Sequence, residues 1–421
     1  MTDPAKPGLL RTLTLTDAVA VGLGAIIGAG IFVVTGVAAG VAGPAFVVGL
    51  AIAGLVAACN ALSSAQLAAV YPQSGGTYEY GYQLLNPEVG FAAGFMFLVS
   101  KLSAAGVVAL GFGSYLYQLM PVASPAWLAG AAVGVLTLAN YLGIKKAGLL
   151  NLAIVSVTLL ALLYLVIAGA PAVQPANFRP FAPFGFMGIA EAAALLFFAF
   201  TGYARIATLA EEVKDPEKTI PRAVLITIAT AIVLYAAVAV VAVGVLGAPA
   251  LAGSRSPLQQ VAQALAAPGI SQVVTLGAAT AMLGVLLSQV LGISRMLLAM
   301  GRRTDLPPML QRVHAQNRVP HVGILVTGAV ILLLVWLGNF EFIVRAATFT
   351  ILLYYSITNV AALRQPASQQ LFGKAVPVLG LLGCLAMAAA LPLAVAASGL
   401  SLLAAGFVLR FVCRKWFGAK A

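Results

Sequence analysis

The sequence predicts an all-α polytopic membrane protein with about twelve transmembrane helices. Hydrophobic residues make up 62% of the 421 residues and charged residues only 8%, whereas soluble domains carry about 25% charged residues. The mean hydropathy is +1.04, and the apolar residues form runs long enough to cross a bilayer, which takes about 20 residues per helix. Because the first run is too long for a cleaved signal peptide, we expect the first helix to remain and span the membrane.

Twelve apolar runs give twelve predicted spans, numbered here in chain order. They cover residues 15–41, 44–70, 88–119, 126–143, 149–170, 186–210, 220–247, 271–301, 321–337, 340–363, 376–392 and 398–416. Polar segments separate most of these runs, and only Gly338-Asn339 separates the ninth from the tenth.

The placement of basic residues predicts the orientation. Of the 23 Lys and Arg residues, seventeen fall on the side of the two termini, four lie inside spans, and Arg179 and Arg255 lie on the other side. Cytoplasmic segments of membrane proteins carry such an excess. We therefore expect a plasma (inner) membrane protein with cytoplasmic tails at 1–14 and 417–421. The net charge of +12 is then an insertion signal, and no nucleic-acid partner is expected.

Two predicted spans contain segments that disfavour a continuous helix. Gly24, Gly28 and Gly30 fall within the first span, and residues 198–203 interrupt the sixth with the sequence Phe-Ala-Phe-Thr-Gly-Tyr. Glycine costs roughly 1 kcal/mol against alanine inside a helix, and backbone groups freed in hydrocarbon cost several kcal/mol more unless a polar partner meets them. Paired broken helices point to the binding site of a transporter.

The two breaks divide the chain into comparable halves. Spans one to five (15–170) and six to ten (186–363) each begin with a glycine-broken helix, and spans eleven and twelve (376–416) follow. Since five is an odd number, the second set crosses the membrane in the opposite sense, which predicts a 5+5 inverted repeat. The alternative is a simple helical bundle in which glycines serve only close packing.

Several motifs, in chain order, resemble the amino acid, polyamine and organocation (APC) transporter superfamily. They are residues 28–32 (GAGIF), 42–45 (AGPA), 61–67 (ALSSAQL), 71–78 (YPQSGGTY), 210–222 (AEEVKDPEKTIPR), 293–297 (ISRML) and 305–307 (DLP). The resemblance covers nearly the whole chain and implies an amino-acid permease with the LeuT-type fold. It implies a secondary active transporter that works by alternating access.

The broken helices predict a site for the two charged groups of an amino acid. A helix N-terminus carries about half a positive charge, so backbone N–H groups at the restart of the first span are expected to bind a carboxylate. Carbonyl groups at the ends of the preceding half-helices are expected to accept from the ammonium group. The N–H candidates are Ala29, Gly30 and Ile31, with Gly28 and Gly30 allowing close approach; the carbonyl candidates are Ile26, Ile27, Phe200 and Thr201.

Aromatic residues surround the second break. The resemblance places Phe198 where many relatives have an aromatic lid over the substrate, and Phe200 and Tyr203 lie nearby. The alternative is that these rings only pack against neighbouring helices. Position 204 is Ala, where some relatives carry an acidic residue, so one candidate proton sensor is missing.

Five of the charged residues inside predicted spans are candidates for a functional role, because a charge at the bilayer centre costs at least roughly 2.5 kcal/mol. They are Lys101, Glu191, Arg205, Arg295 and Arg345. Arg205 and Arg295 are expected to pair with Glu211 or Asp305 as gate latches, or to extend to the interface. Glu191 is a gating candidate or an interfacial residue, and Lys101, midway along its span, is the candidate for coupling.

Thr158 raises the question of the driving ion. The resemblance places a lysine at this position in many proton-driven relatives, and its ammonium fills a site that a cation occupies in sodium-coupled ones. With Thr158 here, a sodium cage of Gly24, Ile27, Thr158 and Ser288 oxygens is one possibility. Proton coupling assisted by Lys101 and uncoupled exchange are the others.

Other functions have less support in the sequence. The three cysteines and two histidines match no metal or disulfide spacing, so no metal and no cofactor are expected. An enzyme would need a catalytic constellation at membrane depth, and the predicted spans show none. A channel-like pore would need rows of polar residues, and the spans are nearly free of them. A polyamine or organocation exchanger, the nearest alternative, would need acidic residues in the site. A neutral, small or apolar amino acid is therefore the expected substrate.

Overall fold

The computed structural model describes residues 13–71, 75–143, 147–203, 206 and 213–417, and these residues are almost entirely helical. The helices are α1 Leu15–Ile26, α2 Thr35–Ala42, α3 Phe46–Val70, α4 Thr77–Leu84, α5 Pro87–Leu119, α6 Pro125–Leu142, α7 Ala147–Gly169, α8 Gly185–Phe197, α9 Pro216–Leu246, α10 Ala248–Ala252, α11 Pro257–Leu265, α12 Ile270–Arg302, α13 His321–Leu337, α14 Phe340–Arg364, α15 Ala375–Ala389 and α16 Leu393–Phe417.

Each of the twelve predicted spans corresponds to helix in the described ranges, so the all-α polytopic prediction is confirmed. Nine helical runs there are long and apolar enough to cross a membrane, and one of them, Leu15–Val70, contains both the first and the second span. The shorter apolar helices α13 and α15 supply the ninth and eleventh spans. The division into two inverted repeats remains a prediction. Of the predicted tails, residues 1–12 and 418–421 lie outside the described residues.

The structure also contains three short helices that the hydropathy pattern did not predict. These are α4, between the second and third spans, and α10 and α11, between the seventh and eighth. They are five to nine residues long, so a search for runs of about 20 apolar residues passes over them.

Side-chain caps explain where several spans begin. Thr14 and Asp17 form a capping box at the start of α1, since each side chain bonds the backbone N–H of the other. Asn86 accepts from the N–H of Val89 at the start of α5, and Asn339 accepts from Phe342 at the start of α14. These side chains satisfy N–H groups that have no partner within the helix.

Small residues bring α8 close to its neighbours. A Cβ on Gly49 of α3 would lie 2.9 Å from the backbone nitrogen of Ala193, and one on Gly188 would lie 2.5 Å from the carbonyl oxygen of Val41 in α2. Such close approach is typical of helices packed within a membrane. It fixes α8, whose end carries the second break, against the elements that follow the first break.

The bundle has two ends. We call the end where α1 begins and α16 ends the terminal side. Starting from α1, the chain returns to this side after each pair of spans, which places α4 and the segment between α12 and α13 there. The long helices α5 and α12 pack together, and α14 packs against α5. The breaks lie within the bundle, between the terminal side and the opposite side.

Candidate functional site

The first span is broken where the glycines predict it. Helix α1 ends at Ile26, and Ile27 is extended, with φ −78° and ψ 107°. Helix resumes as a π-turn over Gly30–Val34 that continues into α2. The Phe32 N–H donates to the Gly28 carbonyl at 3.4 Å, so the N–H groups just before it stand at a helix start and have no intrahelical partner.

The second break interrupts the sixth span. Helix α8 ends at Phe197, and a 3₁₀ segment covers Phe198–Tyr203. The α-helical half therefore ends three residues before the Phe200–Thr201 carbonyls that the sequence favoured as its end. The Thr201 hydroxyl donates to the Phe198 carbonyl at 3.0 Å, which stabilises the tight turn.

The structure brings the two breaks together through their backbones. A Cβ on Gly30 would lie 2.3 Å from the Cα of Ala199, and one on Gly202 would lie 2.1 Å from the carbonyl oxygen of Ala25. A later residue of the first break thus meets an earlier residue of the second, so the two segments run antiparallel. Both glycines are needed because no larger residue fits between the backbones.

This contact changes the interpretation of Gly30. The sequence suggested that Gly30 leaves room for a ligand carboxylate, but its open face is filled by Ala199 of the other break. The neighbouring residues Ala29 and Ile31 are at most 2% exposed. Gly28 faces the side chain of Val285 on α12, 2.9 Å from where its Cβ would lie.

Tyrosine hydroxyls from three other helices bind carbonyls of the two breaks. Tyr115 of α5 donates to the Phe32 carbonyl at 2.6 Å, and Tyr235 of α9 donates to the Ile26 carbonyl at 3.0 Å. Tyr355 of α14 donates to the Thr201 carbonyl at 3.3 Å. Sequence reasoning missed all three, although a buried phenol needs an acceptor and a broken helix exposes carbonyls.

The predicted aromatic residues lie at this junction. Phe200 contacts the Tyr235 ring with centroids 5.4 Å apart, and Tyr203 contacts Tyr355 at 5.2 Å. Phe198 is 8% exposed. Packing therefore accounts for Phe200 and Tyr203, and Phe198 remains the lid candidate.

The structure does not bring the predicted sodium ligands together. The Thr158 hydroxyl on α7 donates to the Ile154 carbonyl at 2.8 Å and to the Gly277 carbonyl of α12 at 3.3 Å. Ser288 lies eleven residues beyond Gly277 on the same helix, which is roughly 16 Å along its axis. Thr158 and Ser288 cannot share one ion in this arrangement, because oxygen ligands of a hard cation lie within about 2.6 Å of it. Gly24 lies in the last turn of α1 and is half-buried.

The intramembrane charges have different environments. Lys101 on α5 is half-buried, with its Nζ 5.8 Å from the Phe97 ring centroid. The Nε of Arg345 on α14 lies 3.0 Å from the Glu191 carboxylate on α8, and its Nη1 lies 2.9 Å from Glu341. Glu191 therefore has a helix-bridging partner that the sequence did not name. Arg205, with Ala204 and Glu211, lies outside the described residues.

Of the two alternatives for Arg295, the structure does not support the pairing with Asp305. Arg295 is exposed, and the Asp305 carboxylate, which is fully buried, binds two arginines of the last helix instead. Its oxygen Oδ1 lies 2.8 Å from Arg410 Nε and 3.1 Å from Arg414 Nη2. Arg410 and Arg414 are one turn apart on α16, so both reach the same carboxylate.

Helix α4 completes this charged cluster on the terminal side. Tyr78 and Tyr82 both donate their hydroxyls to Asp305, and the Arg303 guanidinium binds Glu79 at 2.6 Å. Burial first, and then the hydrogen bond to Asp305, raise the pKa of Tyr82 to about 12. We call Asp305, Arg410, Arg414, Tyr78 and Tyr82 the terminal cluster. It joins α4, the segment after α12, and α16.

Comparison with known proteins agrees with this architecture. The chain matches the family model described as amino acid permease over residues 17–418. An uncharacterized transporter of Mycobacterium tuberculosis (strain ATCC 25618 / H37Rv) is 43% identical over 400 residues, covering 94% of this chain and 90% of the relative. A branched-chain amino acid permease of Bacillus subtilis (strain 168) is 31% identical over 409 residues, covering 90% and 88%. A methylthioribose transporter of that organism is 33% identical over 345 residues, covering 76% and 74%.

The helical bundle with two broken spans defines a multi-pass membrane protein of the transporter class. The chain belongs to the amino acid permease family, within the APC superfamily, as its motifs predicted.

Proposed function

We propose that this protein is a secondary active transporter that moves neutral amino acids across the plasma membrane by alternating access. The observation that carries the proposal is the backbone contact between the two breaks, Gly30 against Ala199 and Gly202 against Ala25. Broken helices that meet within the membrane create unpaired N–H and carbonyl groups at one place, which is how related transporter folds bind zwitterions.

The backbone would bind the two ends of the substrate separately. The N–H groups of Ala29, Gly30 and Ile31 point toward the start of a helix, where a carboxylate is favoured. The Ile27 and Thr201 carbonyls would accept from the ammonium group. The Thr201 carbonyl already accepts from Tyr355, and the Ile26 carbonyl accepts from Tyr235. The second lone pair of each oxygen remains for a ligand.

The residues of the two breaks favour a neutral substrate. Neither 26–31 nor 198–203 contains a charged residue, so these two segments offer no counter-charge for a cationic or anionic side chain. The similarity to a branched-chain amino acid permease supports an apolar amino acid as the substrate. The methylthioribose relative makes a neutral sugar derivative the second candidate, and a polyamine would require carboxylates near the breaks.

The geometry favours proton coupling or exchange over a sodium site at Thr158. The Thr158 hydroxyl is bound to two carbonyls and lies far along α12 from Ser288. Lys101 remains the coupling candidate because it is a half-buried cation within a span. The terminal side would face the cytoplasm, as the positive-inside rule expects.

Binding and uptake by the purified protein test the substrate class. A thermal-shift screen should return apolar amino acids as ligands, and liposomes should accumulate the best of them. The same amino acid with an amidated carboxylate should not bind, because the helix start would lose its charge partner. Binding of methylthioribose or a polyamine, with no response to any amino acid, would refute the proposal.

Imposed gradients test the coupling. Uptake should respond to an inward proton gradient, and Lys101→Met should remove that response while counterflow persists. The exposed cation Arg295 provides the control, since Arg295→Met should leave the response intact. If sodium drives uptake in the parent and Thr158→Val removes the effect, the result supports a sodium site at Thr158 and contradicts proton coupling. Indifference of the parent to both ions would indicate exchange.

A further inference from the structure

A buried tyrosine of the tenth span packs against the second break and binds one of its carbonyls. The Tyr355 ring packs against Phe197 with centroids 5.7 Å apart and against Tyr203 at 5.2 Å, and its hydroxyl donates to the Thr201 carbonyl at 3.3 Å. Tyr355 is fully buried. It therefore touches the residues before, within and at the end of the break.

One turn later, Asn359 ties the same helix to α3. Its amide nitrogen donates to the Tyr355 carbonyl at 3.0 Å and to the Asn60 Oδ1 at 2.6 Å. Both asparagines are fully buried. A buried amide is costly unless it is bound, so this pair fixes the lateral position of α14 against α3 more specifically than apolar packing would.

The connection continues to α15, which lies outside the ten spans of the predicted repeat. The Asn60 amide nitrogen donates to the Cys384 sulfur at 3.1 Å. A Cβ on Gly380 would lie 2.6 Å from Asn60 Oδ1 and 2.7 Å from Asn359 Oδ1. Glycine thus allows α15 to press directly on the asparagine pair.

One atom of this group remains unsatisfied. Asn359 Oδ1 is buried and makes no hydrogen bond with any residue in the described ranges. A buried polar atom without a partner requires an explanation.

We propose that Asn359 is a positioning residue for the substrate site, and that α15 supports the site through Asn60. The Tyr355 hydroxyl bond, at 3.3 Å, is already longer than the usual O–H···O hydrogen bond of about 2.5–3.0 Å. A small displacement of α14 would break it and leave the Thr201 carbonyl misdirected. The inference rests on the proposed role of that carbonyl in binding the substrate ammonium group.

Substitution of two matched glycines distinguishes a loss of substrate affinity from a general disturbance of helix packing. Gly380→Ala should push the asparagine pair apart and raise the KM for uptake by about two- to tenfold, the effect of one lost hydrogen bond, with the maximal rate nearly unchanged. Gly383→Ala is the control because its Cβ would lie 2.5 Å from a Val56 side-chain carbon on the same helix α3. It should perturb packing to a similar degree without raising KM.

Two further variants form a double-mutant cycle. Tyr355→Phe removes only the hydroxyl, and Asn359→Leu removes the amide; each should raise KM, and the pair together should raise it no more than the larger single effect. Equal KM values for the Gly380 and Gly383 variants, or additive effects of the pair, would overturn the inference. Should the parent bind only a ligand other than an amino acid, the proposed function fails, and the same cycle on that ligand's Kd still decides the role of Asn359.

Discussion

The paired breaks and the terminal cluster hold this bundle together in opposite ways. At the breaks, two backbones touch through Gly30 and Gly202, with no charged side chain between them. At the terminal cluster, three chain segments meet through a buried carboxylate, two arginines and two tyrosine hydroxyls.

The difference predicts which kind of substitution damages each region. A backbone contact cannot relax around an added methyl group, because both sides are fixed by their helices. A cluster of long side chains can adjust to a change in size, but removal of the Asp305 charge takes away the buried carboxylate that both arginines bind. Steric changes should therefore act at the breaks, and charge changes at the cluster.

The largest effect is expected from Gly202→Ala. The added Cβ would lie 2.1 Å from the Ala25 carbonyl oxygen and 2.5 Å from the Ile26 nitrogen, so the two breaks must separate. We expect uptake to fall by at least about a hundredfold, since the backbone groups that would bind the substrate move by an ångström or more. Gly134→Ala on α6, where nothing lies within 4 Å, is the control. Normal uptake by the Gly202 variant would contradict the backbone contact.

The next effect is expected from Asp305→Asn. The change removes the buried counter-charge of Arg410, whose side chain is 6% exposed, and breaking a buried pair costs about 3 kcal/mol or more. The melting temperature of the detergent-solubilised protein should fall clearly, while KM changes little. Glu88→Gln is the control, because Glu88 lies 3.9 Å from Arg410 and its side chain is 65% exposed. Equal melting temperatures for the two variants would rule out the anchoring role of Asp305.

A smaller effect is expected from Glu191→Gln. The pair with Arg345 joins α8 to α14 at a site where both side chains are about one-fifth exposed. Its loss should cost about 1 kcal/mol, between the values for surface and buried pairs. Glu341→Gln removes the other partner of Arg345, which is 62% exposed, and should cost less than about 0.5 kcal/mol. Thermal unfolding measures the loss of stability in both variants. A larger loss for Glu341→Gln than for Glu191→Gln would contradict this prediction.

The smallest effect concerns the stability of the terminal cluster at high pH. The pKa of Tyr82 is raised to about 12 in the folded protein, whereas an unfolded tyrosine has a pKa of about 10. The unfolded chain therefore loses this proton first, and stability contributed by Tyr82 is present below pH 10 and is lost as the pH rises toward 12. Between pH 8 and 11 the melting temperature of the parent should fall more than that of Tyr82→Phe. Parallel curves would show that the phenol proton does not support the cluster.

Much of the fold and part of the site could be predicted from local features of the sequence. Long apolar runs predict spans because hydrocarbon demands them, and glycines inside such a run predict a break because each weakens the helix. The break at Gly28–Gly30 and the irregular segment at residues 198–203 follow from these rules. The family could also be predicted, because its motifs are short runs of residues that can be recognised one at a time.

The lateral contacts could not be predicted in the same way. Arg295 and Arg410 both lie near the terminal side and both carry a charge, so nothing in the sequence favours the residue 105 positions from Asp305 as its partner. Thr158 was matched to Ser288, but α7 and α12 meet in a register that places it at Gly277. The three tyrosines that bind break carbonyls come from helices far apart in the chain.

The sequence by itself determined which segments cross the membrane, where two of them break, and to which family the chain belongs. These depend on hydropathy, glycine content and short motifs, all of which act within one segment. Only the tertiary structure decided that Gly30 meets Ala199, that Asp305 binds Arg410, and that Asn359 joins Asn60. Apolar helices offer many similar faces to one another, and the contacts that form are selected by close packing of small residues and by a few buried polar groups over the whole bundle.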